Sequence, residues 1–117
     1  MSLYKERLQN ILEKSFPELA TLHALTFKNC FGSMAGYVDD HIFCSCGPFG
    51  FALKLPPVDI KALLKCGAKP LQYFPNGHVK KDYVVIPEPL LAEKGTMMNF
   101  IKKSIKFSTQ PKEGNPG

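Results

Sequence analysis

Four cysteines, three histidines and an Asp-Asp pair are the side chains of this 117-residue chain best equipped for chemistry. The cysteines are Cys30, Cys44, Cys46 and Cys66, and the one close pair has the spacing Cys-x-Cys. Closed zinc sites usually combine a Cys-x₂₋₄-Cys pair with a second pair or with histidines at matching spacing. That second pair is missing here. On a strand, Cys44 and Cys46 would point to one face, because side chains alternate with period two. Buried cysteine behaves as a small hydrophobe, so packing is the expectation, with a metal- or thiol-dependent activity through Cys44 and Cys46 as an alternative. Disulfides are not expected in a reducing cytosol.

The histidines are His23, His41 beside Asp39-Asp40, and His78 near Lys80, Lys81 and Asp82. A general base needs a partner and an orienting group within hydrogen-bond reach, and a cysteine nucleophile needs a base that lowers its pKa. On a regular strand His41 and Cys44 fall on opposite faces, which argues against a dyad. Asp39-Asp40 reads as a hairpin turn in preference to a paired acid and base. His23 and His78 read as a connector residue and a post-turn residue. No catalytic residue, metal ligand or cofactor is assigned, and the expectation is a protein that is not an enzyme.

The elements that would position these groups follow from periodicity. Tyr4, Leu8, Ile11 and Leu12 recur at helical spacing, which predicts a helix from Leu3 to Phe16, with Ser2 able to cap it and Pro17 ending it. The stretch to Leu22 reads as a connector. Residues from Leu25 onward alternate in polarity, and Gly32 and Gly36 interrupt them, which predicts one long bent strand from about Thr26 to Val38. Asp39-Asp40 turns the chain into a strand over His41 to Cys46, and Gly47-Pro48 turns it again into Phe49 to Leu55. Pro56-Pro57 opens a short helix with the stripe Ile60, Leu63 and Leu64, capped by Gly67. A brief strand from Leu71 to Phe74, a turn at Pro75-Asn76-Gly77 and a strand from Asp82 to Ile86 follow. The last helix runs from Thr96 to about Phe107, with Met97, Ile101, Ser104, Ile105 and Ser108 in one sector and Lys102, Lys103 and Lys106 opposite. The expected architecture is a two-layer α+β domain with a mostly antiparallel sheet, order α-β-β-β-α-β-β-α. It spans residues 1–108, with a flexible tail over 109–117.

Composition narrows the function classes. A chain that is 44% hydrophobic over 117 residues can bury a core without disulfides or a metal. No apolar run approaches the ~20 residues that cross a bilayer, so no membrane contact is expected and the location expected is cytoplasmic. The formal net charge is +5, and the whole excess lies after Pro57. Such asymmetry suits nucleic acid or an acidic partner, yet the single Arg7 leaves few bidentate contacts to phosphates and bases. A solvated basic face is the expectation. Nucleic-acid association through Lys102, Lys103 and Lys106, the candidate anion-binding face, is an alternative.

Two ordered motifs carry a family resemblance. The run Phe31-Gly32-Ser33-Met34-Ala35-Gly36-Tyr37-Val38-Asp39-Asp40-His41-Ile42-Phe43 resembles the M-F-G-G, small residue, aromatic, turn, M-F pattern of the N-terminal domain of TfoX/Sxy proteins. Leu53-Lys54-Leu55-Pro56 resembles that family's basic residue at the end of its third strand. The segment from Pro75 to Pro87 is similar to its P-G-x-x-M-K-x-Y-V-x-x-P pattern. The resemblance runs from about Tyr4 to Lys112. Cys30 stands where methionine is usual and Ser33 where the second glycine is usual. The resemblance implies an α-β₃-α-β₂-α domain of the secretion-chaperone-like kind, some of which dimerise. It also implies kinship with regulators of DNA-uptake competence, here without room for their second domain. The function expected is therefore a regulatory or adaptor domain that binds a protein partner, with a homodimer through a sheet face or edge as one form. Phe31, Gly32, Gly36, Tyr37, Lys54, Gly77 and Tyr83 form the candidate ligand or partner site. Tyr83 packing its ring and Lys54 reaching to water are the simpler readings of those two.

Overall fold

A computed structural model describes residues 3–72 and 77–110. The elements are α1 (Leu3–Ser15), α2 (Leu19–Leu22), β1 (Leu25–Cys30), β2 (Ser33–Val38), β3 (His41–Gly47), β4 (Gly50–Lys54), α3 (Pro57–Lys65), β5 (Lys69–Leu71), β6 (Lys80–Val85), α4 (Glu88–Leu91) and α5 (Lys94–Thr109). Six antiparallel strands lie in the order β1-β2-β3-β4-β6-β5. Leu8 and Leu12 of α1, Ile60 and Leu63 of α3, and Met97, Ile101 and Ile105 of α5 share one core with Val38, Phe43, Phe51, Leu53 and Val84 of the sheet. This is the expected two-layer α+β architecture.

The first half of the sheet departs from the reading at one point. The stretch expected as a single bent strand is two, β1 and β2, folded back on each other with Cys30 opposite Ser33. Phe31 and Gly32 make the turn at φ of 48° and 78°, the two positive φ values of a type I′ hairpin. Four strands therefore precede α3 where three were expected. Asp39 and Asp40, at φ of 50° and 69°, close the next hairpin in the same way. The third closes over Pro48-Phe49, with Gly50 at φ 111°. Gly36 does mark a bulge, because the β2–β3 register shifts between Gly36 and Tyr37. A Cβ at Gly36 would stand 2.6 Å from the Cys44 sulfur, so the strands close tightly only over glycine. The bulge turns the Phe43 carbonyl out of the ladder, and the buried Ser104 hydroxyl of α5 donates to it at 2.9 Å.

The helices follow their patterns. The sector expected to face inward on α5 (Met97, Ile101, Ser104, Ile105, Ser108) is the set of buried residues on that helix. The helix starts at Lys94, with Glu93 and not Thr96 at its N-cap. On α3, Ile60 and Leu63 are buried, whereas Leu64 is partly exposed. Gly67 adopts φ 99° after the helix, and the Ala68 N–H bonds back to the Leu63 carbonyl at 3.0 Å. The connector expected before Leu22 contains α2, and α4 follows Pro87. Both are single turns of four residues, too short to carry a helical period. The strand expected from Leu71 to Phe74 begins instead at Lys69 as β5. It ends at Leu71, with Gln72 outside the strand; the expected residues 73–74, the turn at Pro75-Asn76, the Ser2 cap and most of the tail fall outside the described residues.

Candidate functional site

Lys54 lies directly opposite Tyr83 across β4 and β6, so the two side chains share the sheet face that the helices do not cover. Tyr83 is 7% exposed and packs with Ala52, Leu71, Val85 and Phe49 in a second, smaller cluster. Lys54, half-buried, lines a cleft of about 690 Å³ with Tyr37, His41, Ile42 and Ser108. Tyr37 also lies under the Lys28 ammonium, 4.9 Å from its ring centre. Gly36 faces the opposite way, toward Cys44 and Leu8. Phe31 and Gly32 form the β1–β2 turn, at the far end of β2 from Tyr37. The Gly77 carbonyl accepts the Gln72 side-chain amide at 2.7 Å. The seven residues grouped in sequence are thus split: Tyr37, Lys54 and Tyr83 share a face, while Gly36, the Phe31-Gly32 turn and Gly77 stand apart.

The groups considered for chemistry are dispersed. Cys44 and Cys46 are wholly buried in the core. Burial pushes the Cys44 thiol well up and the Cys46 thiol up, the latter opposed by the Arg7 guanidinium beside it. Neither is poised as a thiolate nucleophile. His41 is exposed while Cys44 has no exposure. Asp39 and Asp40 form the turn, and Asp39 is occupied on both oxygens: His23 Nδ1 lies 2.8 Å from Oδ2 and the Ala24 N–H donates to Oδ1 at 3.0 Å. The His23 contact first, and the Ala24 N–H second, hold the Asp39 carboxyl below its ordinary value. Among the described residues, no three His, Cys, Asp or Glu side chains come together as a metal-binding group.

The lysine stripe of α5 is exposed but partly engaged. Lys103 pairs with Asp59 at 3.2 Å, and the Lys102 ammonium stands 5.5 Å from the Phe16 ring centre. Lys106 makes no ion pair among the described residues. A groove of about 640 Å³ between α1 and α4 is strapped by the Arg7–Glu88 ion pair at 2.9 Å. No helix among the described residues is long and apolar enough to cross a membrane.

A candidate site whose residues the sequence did not single out is the outer edge of β1. Among the described residues this strand pairs only with β2. In a hairpin closed by two residues the flanking pair exchanges both hydrogen bonds, and bonded and non-bonded pairs then alternate. Cys30, Lys28 and Thr26 therefore bond inward, and the Asp39 N–H to Ala24 carbonyl bond at 2.9 Å continues the series. The N–H and C=O groups of Leu25, Phe27 and Asn29 point outward. Beside this edge, on the helix side, lies a pocket of about 220 Å³ walled by Leu12, Phe16, Leu19, Leu25 and Phe27. Phe31, 68% exposed, projects at the end of the same strand. Residue composition signals a strand here, but edge position depends on the order of the whole sheet, which no local pattern carries.

A family model described as the TfoX N-terminal domain matches residues 18–108. The match covers every strand and leaves α1 outside, a narrower span than the Tyr4–Lys112 expected. No curated protein matches the chain.

Proposed function

The chain belongs to the TfoX N-terminal domain family, and from that premise we propose that it is a regulatory or adaptor domain that acts by contact with another protein and performs no reaction of its own. The observation that carries this reading is the free edge of β1. Six residues without proline present three outward pairs of backbone groups, with an apolar pocket beside them. Sheets normally cover, shorten or break such an edge, because it templates pairing with another chain. The opposite edge shows that protection: β5 is three residues long and contains Pro70. The buried thiols and the dispersed histidines fit the same reading, since among the described residues no nucleophile is paired with a base near them. The protein would work in the cytoplasm on a protein partner, with a second copy of itself as one form of partner.

Capture from lysate on the immobilised chain, run with and without nuclease treatment, tests this. A protein retained in stoichiometric amount without nucleic acid is the expected result. Retention of nucleic acid alone, with affinity falling steeply as salt rises, contradicts it, and Lys102→Ala, Lys103→Ala and Lys106→Ala together would then localise the contact.

A further inference from the structure

Strand addition needs two things from the receiving protein: a row of unpaired backbone groups for affinity and a pocket for alternate side chains for selectivity. The β1 edge has both. Leu25, Phe27 and Asn29 turn their N–H and C=O groups outward, and the pocket between α1, α2 and β1 opens beside Leu25 and Phe27 on the helix side. Its volume of about 220 Å³ lies below the ~300–1,000 Å³ of small-molecule sites and suits one large apolar side chain. On the other side of the same strand stands Lys28, exposed, with its ammonium over the Tyr37 ring.

We propose that β1 receives an extended peptide segment of another protein as a seventh strand. The segment carries a large apolar side chain that enters the Leu12–Phe16–Leu19 pocket, with an acidic residue immediately next to it in sequence. The adjacency follows from the period of two. When one peptide residue points to the helix side, its neighbours point to the face that bears Lys28, where an opposite charge across the strands is favourable and a like charge is not. A second copy of this chain fits the edge poorly. Self-pairing centred on Phe27 would place the two Lys28 side chains diagonally across from each other. It would also offer to each pocket the same Phe27 that already forms its wall. The proposal deepens the protein-binding reading above and rests on it.

Selection of displayed nine-residue random peptides on the intact chain tests it, followed by affinity measurements on synthetic forms of the enriched peptides. The expected enrichment is an apolar residue adjoining Asp or Glu. Asn29→Pro removes an outward N–H that no bond among the described residues uses, so it should weaken binding at least tenfold while thermal unfolding shows the fold intact. Lys28→Glu should reverse the preference from an acidic to a basic neighbour. Ala20→Phe, at an exposed position on the pocket rim, should lower the preference for a large apolar residue and leave that for the acid. Enriched peptides that bind Asn29→Pro as tightly as the parent overturn the edge and leave a protein-binding domain with another surface. Failure to enrich any peptide overturns strand addition while lysate capture still decides the broader reading. If the lysate also yields no protein, both fall.

Discussion

Gly36 shows how narrowly single residues are determined in this sheet. A methyl group there would meet the Cys44 sulfur at 2.6 Å, with Phe43 and Leu8 behind it at 3.5 and 3.6 Å. Gly36→Ala should cost about 1–3 kcal/mol in urea unfolding, the usual range for overpacking, and combining it with Cys44→Ala should recover part of that loss. Two serines on α5 make an opposed pair. The Ser104 hydroxyl satisfies the carbonyl that the bulge sets free, so Ser104→Ala should cost about 1–3 kcal/mol by stranding a buried acceptor. The Ser108 hydroxyl is buried with no hydrogen-bond partner among the described residues; Ser108→Ala should be neutral or slightly stabilising by the same denaturation measurement. Asp39 supplies a pH dependence. Its carboxyl is held below the unfolded value by His23 and by the Ala24 N–H, so its stabilising contribution is present above about pH 4 and lost as pH falls through the folded value. Asp39→Asn, which tolerates the positive φ, should flatten the fall of the denaturation midpoint below about pH 4. An unchanged acid limb would show that the His23 and Ala24 contacts do not hold the carboxylate in solution.

At the scale of elements, legibility tracked whether a signal was local. The inward sector of α5 could be read by projection because one helix face meets one core. The close approach at Gly36 was legible because a glycine inside a strand has few other reasons to be there. The Phe31-Gly32 turn was not. Type I′ turns draw Asn-Gly or Asp-Gly, and an aromatic residue with φ near 48° is strained. The sequence pattern therefore places Phe31 inside a strand, whereas it stands in the turn that follows Cys30. Phe31→Asn should raise stability by about 1 kcal/mol, seen as a shift in denaturation midpoint with an unchanged slope. The residues of the candidate site divide between regions for a related reason. Tyr37, Lys54 and Tyr83 share a face, whereas Phe31 and Gly77 stand apart from it, because nearness in a motif is not nearness in space. The β1 edge and its pocket draw on α1, α2 and β1 together, and the edge exists only because β1 stands last in the sheet order.

For the whole molecule, the described helices all pack into one core on one side of the sheet, one edge strand is short and contains a proline, and the other is long and open. That asymmetry is the basis for assigning recognition to β1 and scaffolding to the cysteine-bearing centre. The most direct measurement is residue-resolved amide hydrogen exchange of the intact chain, alone and with a selected peptide or captured partner. In the free chain the amides of Leu25, Phe27 and Asn29 should exchange quickly while those of Thr26, Lys28 and Cys30 are protected. With the partner bound, the first three should become protected as well. Partner binding that leaves Leu25, Phe27 and Asn29 exchanging as before, with new protection elsewhere, would contradict the account.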